Sequence, residues 1–358
     1  MKNYNPSNAN TLLVETLELD DFKALREFCL SNIIKPSTTD VIIGDSTYKI
    51  VVRLITNFPH LETFWKLNFE TNKDDNQPIQ GEIIFLENHN KSKFSEKYNF
   101  EKYRYYNKEF NSIISLNNDF YGNVKISYRA ITANAIIKDD ILTLHSGCLR
   151  IQNKNIALTG DSGAGKSTIF DLLDKHFDGI LIWEDFGFVD AKNAQLIVPN
   201  EIFNQLNHRT VKSMFPTFED NSENFDSEFF EKNNAFFHER RLMVDFSEHR
   251  KTIQNTKDEI NKIIDALIII TNYVDLPFSI KQVKADEAIE VFAKLNYSKA
   301  HQAEIRYANG SLILDKAQNQ IYYKTFLKLF SDIKNLIILN NNYTPINPSE
   351  IINFINEN

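Results

Sequence analysis

The sequence predicts an α/β protein. A mixed sheet with flanking helices, over residues 126–358, is preceded by a smaller α+β domain, over residues 1–125. The chain has 358 residues, which at roughly 150 residues per domain suggests two domains. Six of the ten glycines fall between positions 147 and 187, where the backbone is expected to turn tightly or approach a ligand. After residue 126, strand-like and helix-like segments alternate, as they do in layered α/β proteins.

The N-terminal part contains one predicted helix and several predicted strands. Apolar residues at helical spacing predict a helix over 18–30. Runs rich in β-branched and apolar residues predict strands over 48–55, 82–86 and 124–128. We expect this accessory domain to recognise a substrate or a partner.

The C-terminal part contains the more regular pattern. The nearly continuous apolar run at 265–273 predicts a central strand that is covered on both faces. A short polar run at 340–342 is interpreted as a turn. The other predicted elements are strands over 149–151, 155–159 and 179–183, and helices over 166–176 and 285–295.

Composition excludes several classes of protein. Forty Lys and Arg against 48 Asp and Glu give a net charge of -8, whereas proteins that bind nucleic-acid backbone are usually basic. The longest apolar run, at 266–270, is far shorter than the ~20 residues that span a bilayer, and no signal peptide is expected. Cys29 and Cys148 have no metal-binding or disulfide spacing, so we interpret them as buried thiols of a cytoplasmic protein.

The strongest motif is a glycine-rich segment at residues 160–167, here called the phosphate loop. Its sequence, GDSGAGKS, matches the pattern G-x-x-x-x-G-K-[ST]. A predicted strand precedes it and a predicted helix follows it, so backbone N–H groups and the positive helix end would surround a phosphate. Lys166 would reach the β- and γ-phosphates, and the Ser167 hydroxyl would bind Mg²⁺. A glycine turn without a ligand is the weaker interpretation.

Two acidic residues, Glu184 and Asp185, follow a short apolar segment after the phosphate loop. In a parallel sheet, this segment could lie beside the loop strand and bring its terminal carboxylates next to Mg²⁺. One acid would hold the metal, and the other would accept the proton of an incoming hydroxyl. Acids at strand ends are also common where no such site exists, which is the structural alternative.

Residues 145–190 resemble the bacterial HPr kinase/phosphorylase family, within the wider group that includes ATP-dependent phosphoenolpyruvate carboxykinase. The segment LTGDSG at 158–163 resembles the family's I-T-G-D-S-G loop entry, and the acids at 184–185 follow a short strand where the family has two aspartates. His145 precedes a strand, as the family's histidine does. The resemblance implies an HPr-kinase-like P-loop fold over roughly residues 126–300.

The resemblance also implies roles for individual residues. His145 would lie near the transferred phosphate, although a lone histidine at a strand start is otherwise more typical of a structural group. Ser167 and Asp185 would contact the metal, and Glu184 or Asp185 would activate the acceptor hydroxyl. The nucleotide phosphates would be bound by Gly160, Asp161, Ser162, Gly163, Ala164, Gly165, Lys166, Ser167 and Thr168.

Two features depart from the family. Glu184 stands where the family has an aspartate. The signature that follows the acids in the family is absent from residues 191–262. Because that segment helps the family dock and dephosphorylate its carrier protein, neither that acceptor nor the phosphorylase reaction is implied here.

Basic side chains are needed to counter the phosphate charge. Arginine suits this role because its planar group bonds two oxygens at once. The candidates are Arg240 and Arg241, just before a predicted strand at 242–246, and Arg209 with Lys212. A solvated strand edge is the alternative interpretation of the 240–241 pair.

These observations predict an ATP- and Mg²⁺-dependent kinase that transfers the γ-phosphate to a hydroxyl of a small molecule or of a serine in a peptide or protein. One alternative is a nucleotide-gated ATPase that switches a partner complex, and another is a loop domain that has lost its base and only binds nucleotide. A nucleic-acid enzyme is disfavoured by the net charge. Members of the resembled family are often oligomers, so a homo-oligomer is compatible with the resemblance.

Overall fold

The structure is a computed structural model that describes residues 13–31, 36–58, 61–62, 65–66, 69–74, 76–86, 97–98, 103–116, 121–160, 164–184, 186–198, 203–206, 235–238, 241–245, 262–273, 275–295, 316–342 and 346–357. Within these residues the protein has the predicted mixed α/β architecture. The described strands form sheets of seven, six, three and three strands. No helix in the described residues is long and apolar enough to cross a membrane.

The seven-stranded sheet comes from the N-terminal part of the chain. Its strands are β1 (Leu13–Thr16), β2 (Ser37–Gly44), β3 (Lys49–Thr56), β4 (Glu70–Thr71), β5 (Ile79–Phe85), β6 (Tyr103–Asn107) and β7 (Ser112–Ser115). Their order is β1-β6-β7-β5-β3-β2-β4. The pairs β1·β6, β3·β5 and β5·β7 are parallel, and the remaining neighbours are antiparallel.

Helices cover both faces of this sheet. Helix α1 (Leu19–Ser31) buries Phe22 and Leu25 against one face. Helix α2 (Tyr121–Ile136) packs with Trp65 on the other face. The N-terminal part therefore has helices on both faces of a mixed sheet, which specifies the arrangement within the expected α+β part of the chain.

Three of the four predicted N-terminal elements are confirmed. The helix over 18–30 is α1, and the strands over 48–55 and 82–86 are β3 and β5. The predicted strand over 124–128 is wrong, because this segment lies inside α2. Its sequence, VKISY, has the alternation and β-branched residues of a strand. Residues 127–132 are all buried, so packing on successive sides of the helix overrides the local propensity.

The remaining strands belong to the C-terminal part. They are β8 (Ile141–Leu144), β9 (Ser146–Ile151), β10 (Lys154–Gly160), β11 (Ile180–Trp183), β12 (Gly187–Asp190), β13 (Gln195–Ile197), β14 (Phe203–Leu206), β15 (Ala235–His238), β16 (Arg241–Asp245), β17 (Ala266–Thr271), β18 (Ser279–Gln282) and β19 (Asn335–Asn340). The two three-stranded sheets have the orders β13-β12-β8 and β14-β16-β15, and the six-stranded sheet has the order β11-β9-β10-β17-β19-β18.

Four strands of the six-stranded sheet run in one direction. Strands β10, β17 and β19 are parallel neighbours. Strand β9 is antiparallel to both β10 and β11, so β11 runs in the direction of β10 but is separated from it by one strand. The carboxyl ends of β10, β11, β17 and β19 therefore meet at one side of the sheet, here called the carboxyl edge.

The intervening strand β9 corrects the expectation that the acid-bearing strand lies directly beside the loop strand. Strands β9 and β10 form a hairpin whose two linking residues, Gln152 and Asn153, have φ of 50° and 65°. A two-residue turn with both φ positive matches the twist of its strands and keeps them adjacent. The position beside β10 is thus taken by β9.

Helices cover both faces of the six-stranded sheet as well. Helices α3 (Lys166–Phe177) and α6 (Pro348–Glu357) lie on one face, and α4 (Ala285–Leu295) and α5 (Lys316–Asp332) lie on the other. All six residues of β17 are buried, which confirms the predicted central strand. The predicted helices over 166–176 and 285–295 are α3 and α4.

The N-terminal and C-terminal parts share a hydrophobic core. Phe186 and Phe188 belong to the same buried cluster as Tyr128 and the inner residues of β3 and β5. Lys262 also donates to Asp45 Oδ2 at 2.8 Å. The domain boundary after residue 125 stays a prediction, and α2, followed by a short 3-10 helix (Ile137–Asp139), extends across it.

Candidate functional site

The phosphate loop lies at the carboxyl edge, between β10 and α3. Gly160 is the last residue of β10, and Lys166 is the first residue of α3. Strand β10 is flanked by β9 and β17, so the loop starts near the middle of the sheet. Ala164 is buried, and Ser167 and Thr168 are exposed at the start of the helix. Asp161, Ser162 and Gly163 lie outside the described residues.

Lys166 turns back across the loop toward its first residue. Its Nζ donates a hydrogen bond to the carbonyl oxygen of Gly160 at 2.8 Å. The side chain is half-buried and spans the two ends of the loop. It therefore places a positive charge beside the loop backbone, where phosphate oxygens are bound in loops of this sequence pattern.

Gly165 closes the loop in a backbone conformation that favours glycine. It caps α3 with φ of 94° and ψ of 14°, in the left-handed region. A Cβ atom at this position would lie 2.6 Å from Nδ2 of Asn341, so the space for a side chain is already occupied. Glycine is thus required at position 165 both by the backbone conformation and by the close contact with Asn341.

Asn341 is a site residue that the sequence analysis missed. It directly follows β19, and its Nδ2 donates to the carbonyl oxygen of Ala164 at 3.1 Å. Only 8% of the residue is exposed. The available signal was its place immediately after the largely apolar strand NLIILN, because polar residues at the carboxyl ends of parallel strands commonly face ligands.

Asn340, the preceding residue, fixes the segment that follows β17. Its Nδ2 donates to the carbonyl oxygens of Tyr273, Leu276 and Pro277 at 3.3, 3.2 and 3.0 Å. Its Oδ1 accepts from the Thr271 hydroxyl at 3.1 Å. Only 4% of Asn340 is exposed. The polar run interpreted as a turn therefore begins inside β19, and its buried residue Asn340 stabilises the carboxyl edge.

His145 and Glu184 lie at the same edge as the phosphate loop. His145 directly precedes β9, and its carbonyl oxygen accepts from the Thr159 hydroxyl at 3.0 Å, beside the end of β10. Glu184 directly follows β11. Nδ1 of His145 and Oε2 of Glu184 are both buried. The structure therefore brings both side chains to the edge where the loop lies.

The bend that carries Glu184 is fixed by the residue before it. Nε1 of Trp183 donates to Oγ of Ser146 at 3.1 Å, and Ser146 is fully buried. The indole ring also lies directly against the backbone of Gly187, where a Cβ atom would overlap it. The chain can fold over the indole only because position 187 has no side chain, and this sets where Glu184 leaves the sheet.

The remaining predicted residues belong to another sheet or lie outside the described residues. Arg241 is the first residue of β16 in the small sheet β14-β16-β15. The roles proposed for it and for the other residues remain predictions. Those outside the described residues are Asp185, Arg209, Lys212 and Arg240.

The two cysteines do not contribute reactive groups. Both are buried, which confirms the prediction of buried thiols. Burial raises the pKa of the Cys29 thiol to about 12, and burial with a smaller effect of Asp265 raises the pKa of Cys148 well above its ordinary value. A protonated thiol is neither a nucleophile nor a metal ligand.

The donor set fits a Mg²⁺ ion that is shared with a nucleotide. Within the part of the chain that the structure describes, no group of three or more His, Cys, Asp and Glu side chains could hold a metal ion. Mg²⁺ in nucleotide sites is usually held by one or two protein oxygens, waters and substrate phosphates. The Ser167 hydroxyl is an oxygen donor of this type, and the other predicted metal contact, Asp185, lies outside the described residues.

Comparisons with known proteins give distant structural likenesses only. The sequence matches no protein-family model and no curated protein. Among solved structures, the chain is similar to the Hpr(Ser) kinase/phosphatase from Coxiella burnetii, with 11% identity and a TM-score of 0.26. The match covers 60% of this chain and 94% of that chain. Because the relationship is distant, the case for a function depends on the residues of the site.

Proposed function

We propose that this protein is an ATP- and Mg²⁺-dependent kinase that transfers the γ-phosphate to a hydroxyl of a small molecule or of a serine in a peptide or protein. The observation that carries the proposal is the strand–loop–helix unit at the carboxyl edge, with Lys166 bent over Gly160. Glu184 at the same edge supplies the carboxylate that the chemistry requires.

Phosphate binding is supported by the charge distribution along α3. The first turn of this helix contains no acidic residue, and its last turn contains Lys175 and His176. The positive end of the helix dipole is therefore not opposed by a carboxylate of its own first turn. This end adjoins the phosphate loop, and Lys166 adds a full positive charge there.

Metal binding would involve Ser167 and one of the acids at 184–185, together with the nucleotide phosphates. When bound, Mg²⁺ neutralises negative charge on the phosphate oxygens. Lys166 contributes to the same neutralisation from the loop. Lys166 does not need to gain or lose a proton during transfer, because it acts through a fixed positive charge, as the metal ion does.

In the transfer step, the acceptor hydroxyl oxygen forms a bond to the γ-phosphorus, and the bond from that phosphorus to the β–γ bridging oxygen breaks. ADP leaves with the electron pair of the broken bond. The hydroxyl proton passes to the carboxylate of Glu184 or Asp185. His145 would lie near the transferred group, since its carbonyl is hydrogen-bonded at the end of β10.

The proposal is tested with γ-labelled ATP, Mg²⁺ and a fractionated cell extract. Wild-type protein is compared with Lys166→Ala and with Lys175→Ala, which changes an exposed lysine at the other end of the same helix. We expect label on a small-molecule or protein fraction with the wild type and Lys175→Ala only. Full transfer by a folded Lys166→Ala variant would refute the proposal.

A nucleotide-gated switch is the second candidate, and one contact favours it. Phe186, two residues after Glu184, packs against Tyr128 of α2 with ring centroids 6.2 Å apart. A change at the acids could therefore reach the N-terminal part of the chain through this shared core. In the labelling experiment, this candidate predicts label released only as free phosphate, whichever extract fraction is added.

A further inference from the structure

We infer that Asn341 is a positioning residue that orients the peptide group between Ala164 and Gly165 for phosphate binding. The inference rests on the proposed function, because it concerns how the phosphate loop presents one of its N–H groups. The inference adds Asn341 to the site, although Asn341 is 177 residues from Ala164, whose carbonyl oxygen accepts its hydrogen bond.

The geometry fixes Asn341 at both its backbone and its side chain. Its backbone N donates to the carbonyl oxygen of Thr271 at 2.8 Å, which ties it to the end of β17. Its side-chain Nδ2 donates to the carbonyl oxygen of Ala164 at 3.1 Å. The opposite amide orientation would place Oδ1 against that oxygen, so only one orientation is compatible with the contact.

Holding the Ala164 carbonyl also sets the direction of the next N–H group. In a planar trans peptide the C=O and N–H bonds point in opposite directions. The carbonyl of Ala164 points at Asn341, so the N–H of Gly165 points away from it. Gly165 tolerates either orientation of this peptide because glycine accepts both signs of φ, and the amide of Asn341 therefore supplies the restraint that the glycine lacks.

The burial of Asn341 is a second and independent sign of a role at this site. Its Oδ1 is buried and accepts no hydrogen bond from the described residues. An unsatisfied buried polar atom is unfavourable for folding. An apolar side chain would avoid this cost, but it would also lose the bond to Ala164. We therefore interpret the Asn341 amide as a group that stabilises the phosphate loop and does not stabilise the hydrophobic core.

The test compares Asn341→Ala with Asn335→Ala. Asn335 is 1% exposed and begins β19, the strand that Asn341 directly follows, and its Oδ1 is also buried without a partner in the described residues. Calorimetric titration with MgATP and with inorganic tripolyphosphate measures affinity, and thermal unfolding measures stability. Tripolyphosphate has no base or sugar, so it reports on the loop alone.

We expect Asn341→Ala to weaken both ligands about tenfold, the value of one lost charge-assisted hydrogen bond. Asn335→Ala should bind both ligands as the wild type does. Asn341→Asp should bind more weakly than Asn341→Ala, because a carboxylate repels both the Ala164 carbonyl and the phosphates. If Asn341→Ala does not fold, the nearly isosteric Asn341→Asp is compared with the wild type.

The test distinguishes failure of the positioning role of Asn341 from failure of the proposed function. Wild-type affinity in folded Asn341→Ala, together with lost affinity in Lys166→Ala, would overturn the role of Asn341 and leave the kinase proposal intact. Absence of binding by the wild type itself would refute the proposed function and, with it, the positioning role.

Discussion

Replacing Gly165 by alanine should destabilise the protein through two separable effects. The residue has φ of 94°, and an L-residue in the left-handed region is less stable by roughly 1–2 kcal/mol. The added Cβ would also lie 2.6 Å from Nδ2 of Asn341, whereas ordinary contacts begin at 3.4 Å. Overpacking of this kind typically adds about 1–3 kcal/mol, so the free energy of unfolding should fall by about 2–5 kcal/mol.

A double-mutant cycle separates these effects. In the Asn341→Ala background the overlap is absent, so Gly165→Ala should lower the free energy of unfolding by only about 1–2 kcal/mol. Urea unfolding followed by tryptophan fluorescence measures both values, because Trp65 and Trp183 are both buried and lie in different hydrophobic clusters. An equal loss in the two backgrounds would refute the contact with Asn341, and no loss in either would refute the left-handed conformation.

The remaining predictions concern Glu184, the bend of the chain at Trp183 and the contact of Asp45 with Lys262. Glu184→Gln should lower acceptor-dependent ADP release about 10²–10⁴-fold while nucleotide affinity is retained; unchanged turnover would exclude Glu184 as the base. Trp183→Phe removes the donor to the buried Ser146 hydroxyl and should lower the free energy of unfolding by about 1–3 kcal/mol in urea titrations; an unaltered midpoint would contradict this. Burial alone would raise the pKa of Asp45, but hydrogen bonds, led by that from Lys262, hold this pKa below its ordinary value. A carboxyl whose pKa is lower in the folded state stabilises the fold above its unfolded-state pKa, and this stabilisation is lost as the pH falls. The urea midpoint should therefore decline below about pH 4. Asp45→Asn should flatten that decline.

The strongly patterned parts of the fold could be predicted from the sequence. The apolar run of β17 and the strand–loop–helix unit around Lys166 each have a short-range signal that long-range packing does not change. The segment 124–128 shows the limit, because its local pattern favours a strand, whereas it lies in a helix whose residues 127–132 are buried on successive sides. Local propensity is a weak guide where tertiary packing surrounds an element.

The site could be predicted only where its residues lie close together in the sequence. Glu184 and His145 are within one supersecondary unit of the loop, and the motif and the resemblance indicated both. Asn341 reaches Ala164 only because β19 is two strands from β10 in the sheet. That order depends on the pairing of strands that lie far apart in the sequence, and no local pattern contains this information.

The insertion of β9 between β10 and β11 determines the width of the site. Neighbouring strands are about 4.8 Å apart, so the backbones that carry the phosphate loop and Glu184 are separated by roughly 9–10 Å. Direct neighbours would leave only half that gap. In the proposed kinase reaction, the transferred phosphoryl group and the acceptor oxygen would both lie between Lys166 and Glu184, and β9 supplies a separation of that size. A change that displaced β9 from the sheet would therefore narrow the space between Lys166 and Glu184, whereas a change in the length of the hairpin would not.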